Sequence, residues 1–257
     1  MSSAMQDRAL EGRPWIIWEG PRPGTECLLF CLPYAGGGAH IFRAWQDLFP
    51  RSIQVCPLYL PGRGPRISEA AFTDCRELAQ AIADGIAPLL DRPFALIGHS
   101  MGALASFEAA RILRRKYGLL PHYMFVSGCA APHVHRERQI LHNLPARDFR
   151  EGLRLLGGIP PEVIQNDELM RIVEPMLRAD FAVSETYEYQ PGGPLGCPIT
   201  AFHGSEDPYV SEEQAASWRE LTVGEFHLDV LSGSHFFINS EYPQIIESVA
   251  QYLSGRK

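Results

Sequence analysis

Short apolar segments alternate with helical patterns along most of this 257-residue chain. Each segment is a continuous apolar run, which is typical of a strand that is buried on both faces. The segments lie at Cys27–Leu32, Ile53–Leu58, Phe94–Gly98, Tyr123–Gly128, Ile199–Gly204 and Phe226–Leu231. Strands that are separated by helices pair in parallel through crossover connections. The alternation therefore predicts an α/β fold with a mostly parallel central sheet that helices flank.

Helical patterns lie between or after these strands and then, in one region, replace them. The regular patterns lie at Phe42–Leu48, Asp74–Leu90, Met101–Tyr117, Glu212–Leu221 and Pro243–Leu253. From about residue 133 to 190 the pattern is helical only, and Gly157-Gly158 and Pro160-Pro161 interrupt it. We expect two or three short helices here, inserted into a single domain of residues 1–257. Insertions above the carboxyl ends of such strands often cover a site, so the segment is interpreted as a helical cap.

Charge and composition exclude several classes of function. The formal net charge is −7, which is unfavourable for non-specific binding to nucleic acid. The N-terminal sequence M-S-S-A-M-Q-D-R has no signal-peptide pattern, and no apolar stretch reaches the roughly 20 residues of a membrane span. We therefore expect a cytoplasmic protein with no membrane and no nucleic-acid partner. A monomer is the default expectation.

Six cysteines occur without metal-binding or disulfide-framework spacing. None forms a C-x-x-C pair, and several lie inside apolar strand segments. Buried free thiols in a reducing compartment are the expected state. The chain also has no H-E-x-x-H sequence, no P-loop and no dinucleotide fingerprint. We expect neither a metal ion nor a cofactor.

The sequence G-H-S-M-G, at residues 98–102, stands between a predicted strand and a predicted helix. G-x-S-x-G in that position is the nucleophile elbow, a tight turn that exposes the serine hydroxyl at a helix N-terminus. The two glycines allow the close approach of strand and helix, and the helix dipole favours developing negative charge. Ser100 is the predicted nucleophile.

A serine nucleophile needs a base, and in this type of fold the chain order is Ser, then Asp or Glu, then His. Asp207 follows the strand segment that ends in H-G, and His235 follows the next strand in G-S-H-F-F. His235 is the predicted base and Asp207 the acid that orients its ring. Glu206 is the alternative acid. His203 and His227 lie within strands and are interpreted as structural.

An acyl-transfer site also needs two N–H donors for the oxyanion. The amide after the nucleophile, that of Met101, is the first candidate. The second should come from the loop after the first strand, which reads P-Y-A-G-G-G-A and lets backbone approach a ligand closely. Ala35 is the predicted donor in this loop, with Tyr34 as a neighbouring wall.

These motifs together resemble those of the type II, or external, thioesterases of nonribosomal peptide and polyketide synthesis. The motifs are L-P-Y-A-G-G-G at 32–38, L-P-G-R at 60–63 with a further Arg66, G-H-S-M-G at 98–102, H-G-S-E-D-P at 203–208 and G-S-H-F-F at 233–237. They span nearly the whole chain in the family's order. The combination of P-Y-A-G-G-G with L-P-G-R is more specific than G-H-S-M-G alone.

The resemblance implies an α/β-hydrolase fold and an enzyme that hydrolyses acyl thioesters on the phosphopantetheine arm of acyl- or peptidyl-carrier proteins. It would remove stalled or aberrant acyl groups, with Ser100, Asp207 and His235 as the triad. Arg63 would either support the fold or contact the carrier's phosphate. Two alternatives stay open at this point: a general carboxylesterase or lipase acting on small esters, and a non-catalytic binding protein with the same fold.

Overall fold

Six parallel strands form the central sheet of the computed structural model, which describes residues 15–18, 20–134 and 140–255. The strands are β1 (Cys27–Leu32), β2 (Ile53–Pro57), β3 (Phe94–His99), β4 (Tyr123–Ser127), β5 (Ile199–Gly204) and β6 (Phe226–Leu231). They are ordered β2-β1-β3-β4-β5-β6, and each neighbouring pair is parallel. The predicted α/β fold is confirmed, and every predicted strand boundary lies within about one residue of the observed one.

Burial explains why the strands could be predicted from the sequence. Alternate side chains of β1 enter two different cores: Leu28 and Phe30 pack on one face of the sheet, and Leu29 and Cys31 pack on the other. A strand with both faces covered has no polar face, so its sequence is a continuous apolar run. β6 lies at the edge of the sheet and is only partly buried, and its sequence accordingly includes polar residues.

Helices cover both faces of the sheet. They are α1 (Trp45–Leu48), α2 (Cys75–Ile86), α3 (Met101–Ile112), α4 (Ala146–Leu156), α5 (Pro161–Ile164), α6 (Asp167–Glu185), α7 (Glu212–Ala216) and α8 (Tyr242–Leu253). Residues of α2 and α3 belong to one core, while those of α1 and α8 belong to the other. Among the described residues, no helix combines the length and apolar character that crossing a membrane requires.

Tighter or wider turns extend several helices to the predicted ends. A 3₁₀ turn continues α2 through Leu89, a π turn continues α3 through Tyr117, and a 3₁₀ turn continues α7 through Leu221. The single helix predicted at Phe42–Leu48 is instead divided between a 3₁₀ turn, Ala39–Phe42, and α1. Apolar periodicity therefore located these segments, although it does not distinguish an α-helix from the 3₁₀ and π turns at its ends.

The inserted segment between β4 and β5 contains α4, α5 and α6. The glycine pair lies between α4 and α5, and the proline pair provides the N-cap and first residue of α5, so both interrupt the helical pattern as the sequence indicates. The prediction of short helices is wrong for α6, which has 19 residues and includes Pro175. Its length follows from two sets of contacts, because α6 packs on α2 and α3 and also on a small core of the insertion. Residues 135–139 of the predicted cap lie outside the described residues.

Burial should protect all six cysteines from thiol reagents in the native protein. Each is a buried free thiol, and burial raises the pKa of Cys27 and of Cys56 to about 12 and that of Cys197 to about 11. Because the thiolate is the reactive form, we expect reaction with Ellman's reagent at pH 8 to be at least about 100-fold slower than in 6 M guanidinium. One rapidly modified thiol in the folded protein would contradict this expectation.

Candidate active site

Ser100 occupies a strained turn between β3 and α3. Its φ of 53° makes it the one non-glycine residue with positive φ among those described. The Ser100 N–H donates to the Ser127 carbonyl of β4 at 2.8 Å, which holds the turn against the end of the sheet. A non-glycine residue keeps such a conformation only when its surroundings impose it, and such strain is concentrated at functional sites. The predicted nucleophile therefore has the backbone geometry of a nucleophile elbow.

Gly98 and Gly102 are required by close backbone contacts. A methyl group on Gly98 would lie 2.2 Å from the Gly102 carbonyl oxygen, and one on Gly102 would lie 2.4 Å from the Leu32 carbonyl oxygen. The obstructing atoms belong to the backbone of β1 and α3 and cannot rotate aside. The two glycines thus allow the first turn of α3 to lie directly against the end of β1.

The structure brings together the three side chains predicted from separate parts of the sequence. His235 Nε2 lies 3.1 Å from Ser100 Oγ, and His235 Nδ1 lies 2.8 Å from Asp207 Oδ2. The His235 side chain is 8% exposed and that of Asp207 is fully buried. His203 is buried within β5 and His227 lies on β6, so neither takes the position of the base.

Asp207 is fixed on both of its carboxylate oxygens. Oδ2 faces the His235 ring, while Oδ1 accepts the N–H groups of Tyr209 at 2.8 Å and Val210 at 3.2 Å. Because a carboxylate accepts, the ring nitrogen Nδ1 carries the proton and Nε2 is free to accept from the serine hydroxyl. Glu206, the alternative acid, is exposed, and the ring contact is made by its neighbour Asp207.

The two amides that are predicted to bind an oxyanion, those of Met101 and Ala35, differ from their neighbours in hydrogen bonding. Met101 is the first residue of α3, so its N–H lies among those that have no intrahelical acceptor. In the loop after β1, the N–H groups of Gly36 and Gly37 are both hydrogen-bonded within the protein. Within the described parts of the chain, no acceptor pairs with the Ala35 N–H. Of these three loop amides, Ala35 is therefore the one left free for an oxyanion.

His99 has a role that the sequence reasoning missed. Beneath the elbow, its Nε2 lies 2.8 Å from the His235 carbonyl oxygen and its Nδ1 lies 2.8 Å from Ser127 Oγ. The carbonyl can only accept, so Nε2 donates and Nδ1 accepts the serine hydroxyl proton. Burial, together with the neighbouring His235, holds the pKa of His99 well below its ordinary value. A neutral His99 thus ties the loop of the base to the core.

Aromatic rings enclose the His235 imidazole. Tyr209 and Phe236 lie edge-on to it, with ring centroids 5.5 and 5.2 Å away, and Tyr34 in turn packs on Phe236 at 5.0 Å. Tyr34, which the sequence predicts as a neighbouring wall, thus contacts a ring that itself packs on the His235 imidazole. Tyr209 was missed, although its position two residues after the predicted acid could have indicated it. Gly158 of the insertion packs on Phe236, so the inserted segment borders this site.

A comparison with family models matches residues 28–253 to the thioesterase domain. The chain is 44% identical over 258 residues to a protein named linear gramicidin dehydrogenase LgrE, from Brevibacillus parabrevis, covering 98% of each. That name refers to another reaction, but the family model and the similar solved structures are of thioesterases.

Two solved structures are similar over nearly the whole chain. RedJ, a thioesterase from the prodiginine pathway of Streptomyces coelicolor, is 36% identical with a TM-score of 0.83, covering 94% of this chain and 95% of that one. YbtT, a type II thioesterase from the yersiniabactin NRPS/PKS pathway, is 32% identical with a TM-score of 0.83, covering 93% and 97%.

Replacing Gly102 by alanine should destabilise the fold. The added methyl group collides with the β1 backbone, and we expect a loss of about 3 kcal/mol in the free energy of unfolding measured in urea. Gly193→Ala is the matched control, because a methyl group there meets no described atom within 4 Å and should change stability by less than about 0.5 kcal/mol. Equal stability of the two variants would contradict the steric argument.

The depressed pKa of His99 predicts that acid destabilises the protein. Below about pH 6.5 the unfolded chain binds a proton at this histidine that the folded chain does not, so stability is retained above that pH and falls as the pH is lowered. The contribution of this one group approaches about 1.4 kcal/mol per pH unit. Urea unfolding between pH 7.5 and 5 should show a shallower pH dependence for His99→Gln, and equal slopes would exclude the effect.

Proposed function

Because this chain belongs to the thioesterase domain family, we propose that it hydrolyses acyl thioesters carried on the phosphopantetheine arm of carrier proteins. Acyl- or peptidyl-carrier proteins are the proposed partners, and the proposed role is removal of stalled or aberrant acyl groups during polyketide or nonribosomal peptide synthesis. The similarity to RedJ and YbtT, which are thioesterases from biosynthetic pathways, supports this role. No step of the proposed reaction calls for a metal ion or a cofactor.

The observation that supports the chemistry best is the continuous hydrogen-bonded series from Asp207 through His235 to Ser100. Ser100 attacks the thioester carbonyl carbon as His235 Nε2 takes its proton. The negative charge that develops on the carbonyl oxygen is stabilised by the N–H groups of Ala35 and Met101 and by the N-terminus of α3. Collapse of this intermediate expels the pantetheine thiolate, which takes the proton from the His235 imidazolium, and leaves an ester on Ser100.

Water completes the reaction. His235 removes a proton from water, which attacks the ester carbonyl, and the same two amides stabilise the second oxyanion. Ser100 leaves with the proton from the imidazolium, and the free acid departs. A thiolate is a better leaving group than an amine, so the first step needs less acid assistance from His235 than amide cleavage does. Asp207 keeps the ring in the required tautomer throughout.

Ser100→Ala should abolish hydrolysis without unfolding the protein. Loss of the nucleophile in a triad of this kind costs about 10⁶-fold in kcat, and Asp207→Asn should cost about 10⁴-fold. Ser106→Ala is the matched control. Ser106 is a buried serine of α3 whose hydroxyl has no hydrogen-bond partner among the described residues, and its variant should keep wild-type activity. Retained turnover in Ser100→Ala would overturn the mechanism.

The substrate class is tested separately with one acyl chain presented in two forms. We expect kcat/KM for the acyl thioester on a carrier protein to exceed that for the p-nitrophenyl ester of the same acid by at least about tenfold. A carrier protein supplies additional binding contacts. These contacts lower the free-energy barrier between the separate enzyme and substrate and the transition state, which is the barrier that kcat/KM measures. Preference for the simple ester would instead identify a carboxylesterase with the same catalytic residues.

A further inference from the structure

A buried ion pair links the inserted segment to the loop that follows β1. Asp180 of α6 receives two hydrogen bonds from Arg63 of the L-P-G-R motif, one on each oxygen and each 2.6 Å long. The same carboxylate accepts the Gly36 N–H at 2.8 Å, and Arg63 donates to the Gly37 carbonyl oxygen at 2.8 Å. We call this set of contacts the Asp180 clamp. It joins α6 and the loops after β1 and β2.

The clamp is too buried for either charge to remain unpaired without a large penalty. The side chain of Asp180 is 4% exposed and that of Arg63 is 12% exposed. Removing one partner of such a pair leaves an uncompensated buried charge, which is strongly unfavourable. The two fork-like hydrogen bonds also fix the direction of the carboxylate, because both groups are planar. Asp180 is therefore held rigidly against Gly36, and Arg63 has the supporting role considered for it from sequence.

The clamp sets the shape of the loop that contains Ala35. The Gly37 N–H donates to the Tyr34 carbonyl at 2.8 Å and Gly36 has a φ of 82°, which together are typical of a type II turn with Ala35 and Gly36 at its centre. A type I turn would reverse the central peptide, so the Gly36 N–H could no longer point toward Asp180. The hydrogen bond from Gly36 therefore selects the observed turn.

We propose that Asp180 and Arg63 are positioning residues that hold the Ala35 amide in place for the oxyanion. This inference rests on the proposed function, in which the Ala35 N–H is one of two oxyanion donors. Neither clamp side chain touches the substrate. They act by binding the Gly36 N–H and the Gly37 carbonyl, which anchors the loop and so fixes the position of the Ala35 amide at the start of the turn.

Arg63 has a second, electrostatic effect. A carboxylate next to the Gly36 amide would repel the oxyanion that forms beside Ala35, and the guanidinium of Arg63 balances that charge. Loss of Arg63 alone leaves the carboxylate uncompensated, whereas loss of both charges does not. Arg63→Ala should therefore reduce kcat more than Asp180→Leu does, and the double variant should be more active than Arg63→Ala.

The experiment uses p-nitrophenyl ester hydrolysis and binding of a trifluoromethyl ketone, which forms a tetrahedral oxyanion adduct with a serine hydroxyl. We expect Asp180→Leu to lose about 100-fold in kcat and a similar factor in affinity for the ketone, with KM changed less than about threefold. Asp180→Asn keeps an oxygen that can accept from Gly36 and should retain more activity. The affinity of Asp180→Leu for the product acid should remain that of the wild type.

Glu174→Gln is the matched control, because it removes a different ion pair of α6, with Arg178, that does not touch the glycine loop. Its ketone affinity should not change.

The guanidinium can also be restored chemically, since Arg63 lines a cavity of about 390 Å³ beside Gly36–Gly38. Millimolar guanidinium should therefore raise the kcat of Arg63→Ala and leave the wild type unaffected.

The proposal is overturned if a folded Asp180→Leu variant binds the ketone as the wild type does. Equal losses of affinity for ketone and product acid would also overturn it, because they would indicate general damage to the site. Thermal unfolding checks the fold, and Arg63→Ala, which should also bind the ketone more weakly than the wild type, provides the test if Asp180→Leu is unstable. These readouts use a simple ester, so they are independent of whether a carrier protein is the natural substrate carrier.

Discussion

The parallel pairing of β1 with β3 is the interaction on which the site depends. Leu32 pairs with Gly98 at the carboxyl ends of these strands, so the glycine loop and the elbow emerge side by side. The strand order reverses here, because β1 connects to β2 on one side while β3 begins the series that runs to the other side. Crevices form at such switch points in open α/β sheets. The loop that contains Ala35 and the turn that contains Ser100 therefore follow neighbouring strand ends, although they are far apart along the chain.

Most of the fold could be predicted because the sheet is buried on both faces. Mainly apolar runs marked all six strands, although that of the edge strand β6 also contains polar residues. The motifs that resemble those of thioesterases lie at or after the carboxyl ends of strands. The three residues of the predicted triad could be identified because each follows the end of a strand and because their order along the chain is Ser100, Asp207, His235. Their assembled geometry agrees with the prediction, although their catalytic roles remain a proposal. The end of β2 and the 19-residue length of α6 depend on tertiary contacts that no local pattern records.

Residues that act through backbone atoms were the hardest to predict. His99 and Asp180 each bind a main-chain group of a distant loop. Every residue has such main-chain groups, so the residue types of the loop do not identify it as a partner. One signal was available for Asp180: it lies three residues after Leu177, on the apolar face of α6, where an acid is unexpected. Only the hydrogen bond to the His235 carbonyl distinguishes His99 from an ordinary packing residue.

The edge position of β6 has a consequence for synthesis of the chain on the ribosome. The loop after this last strand holds His235, whereas the nucleophile emerges more than 130 residues earlier. Domains fold as units once their sequence is complete, and a parallel edge strand cannot pair before it has been translated. The nascent polypeptide thus exposes Ser100 without its base until its final segment emerges. Truncated translation products that end before β6 therefore lack the means to activate the hydroxyl.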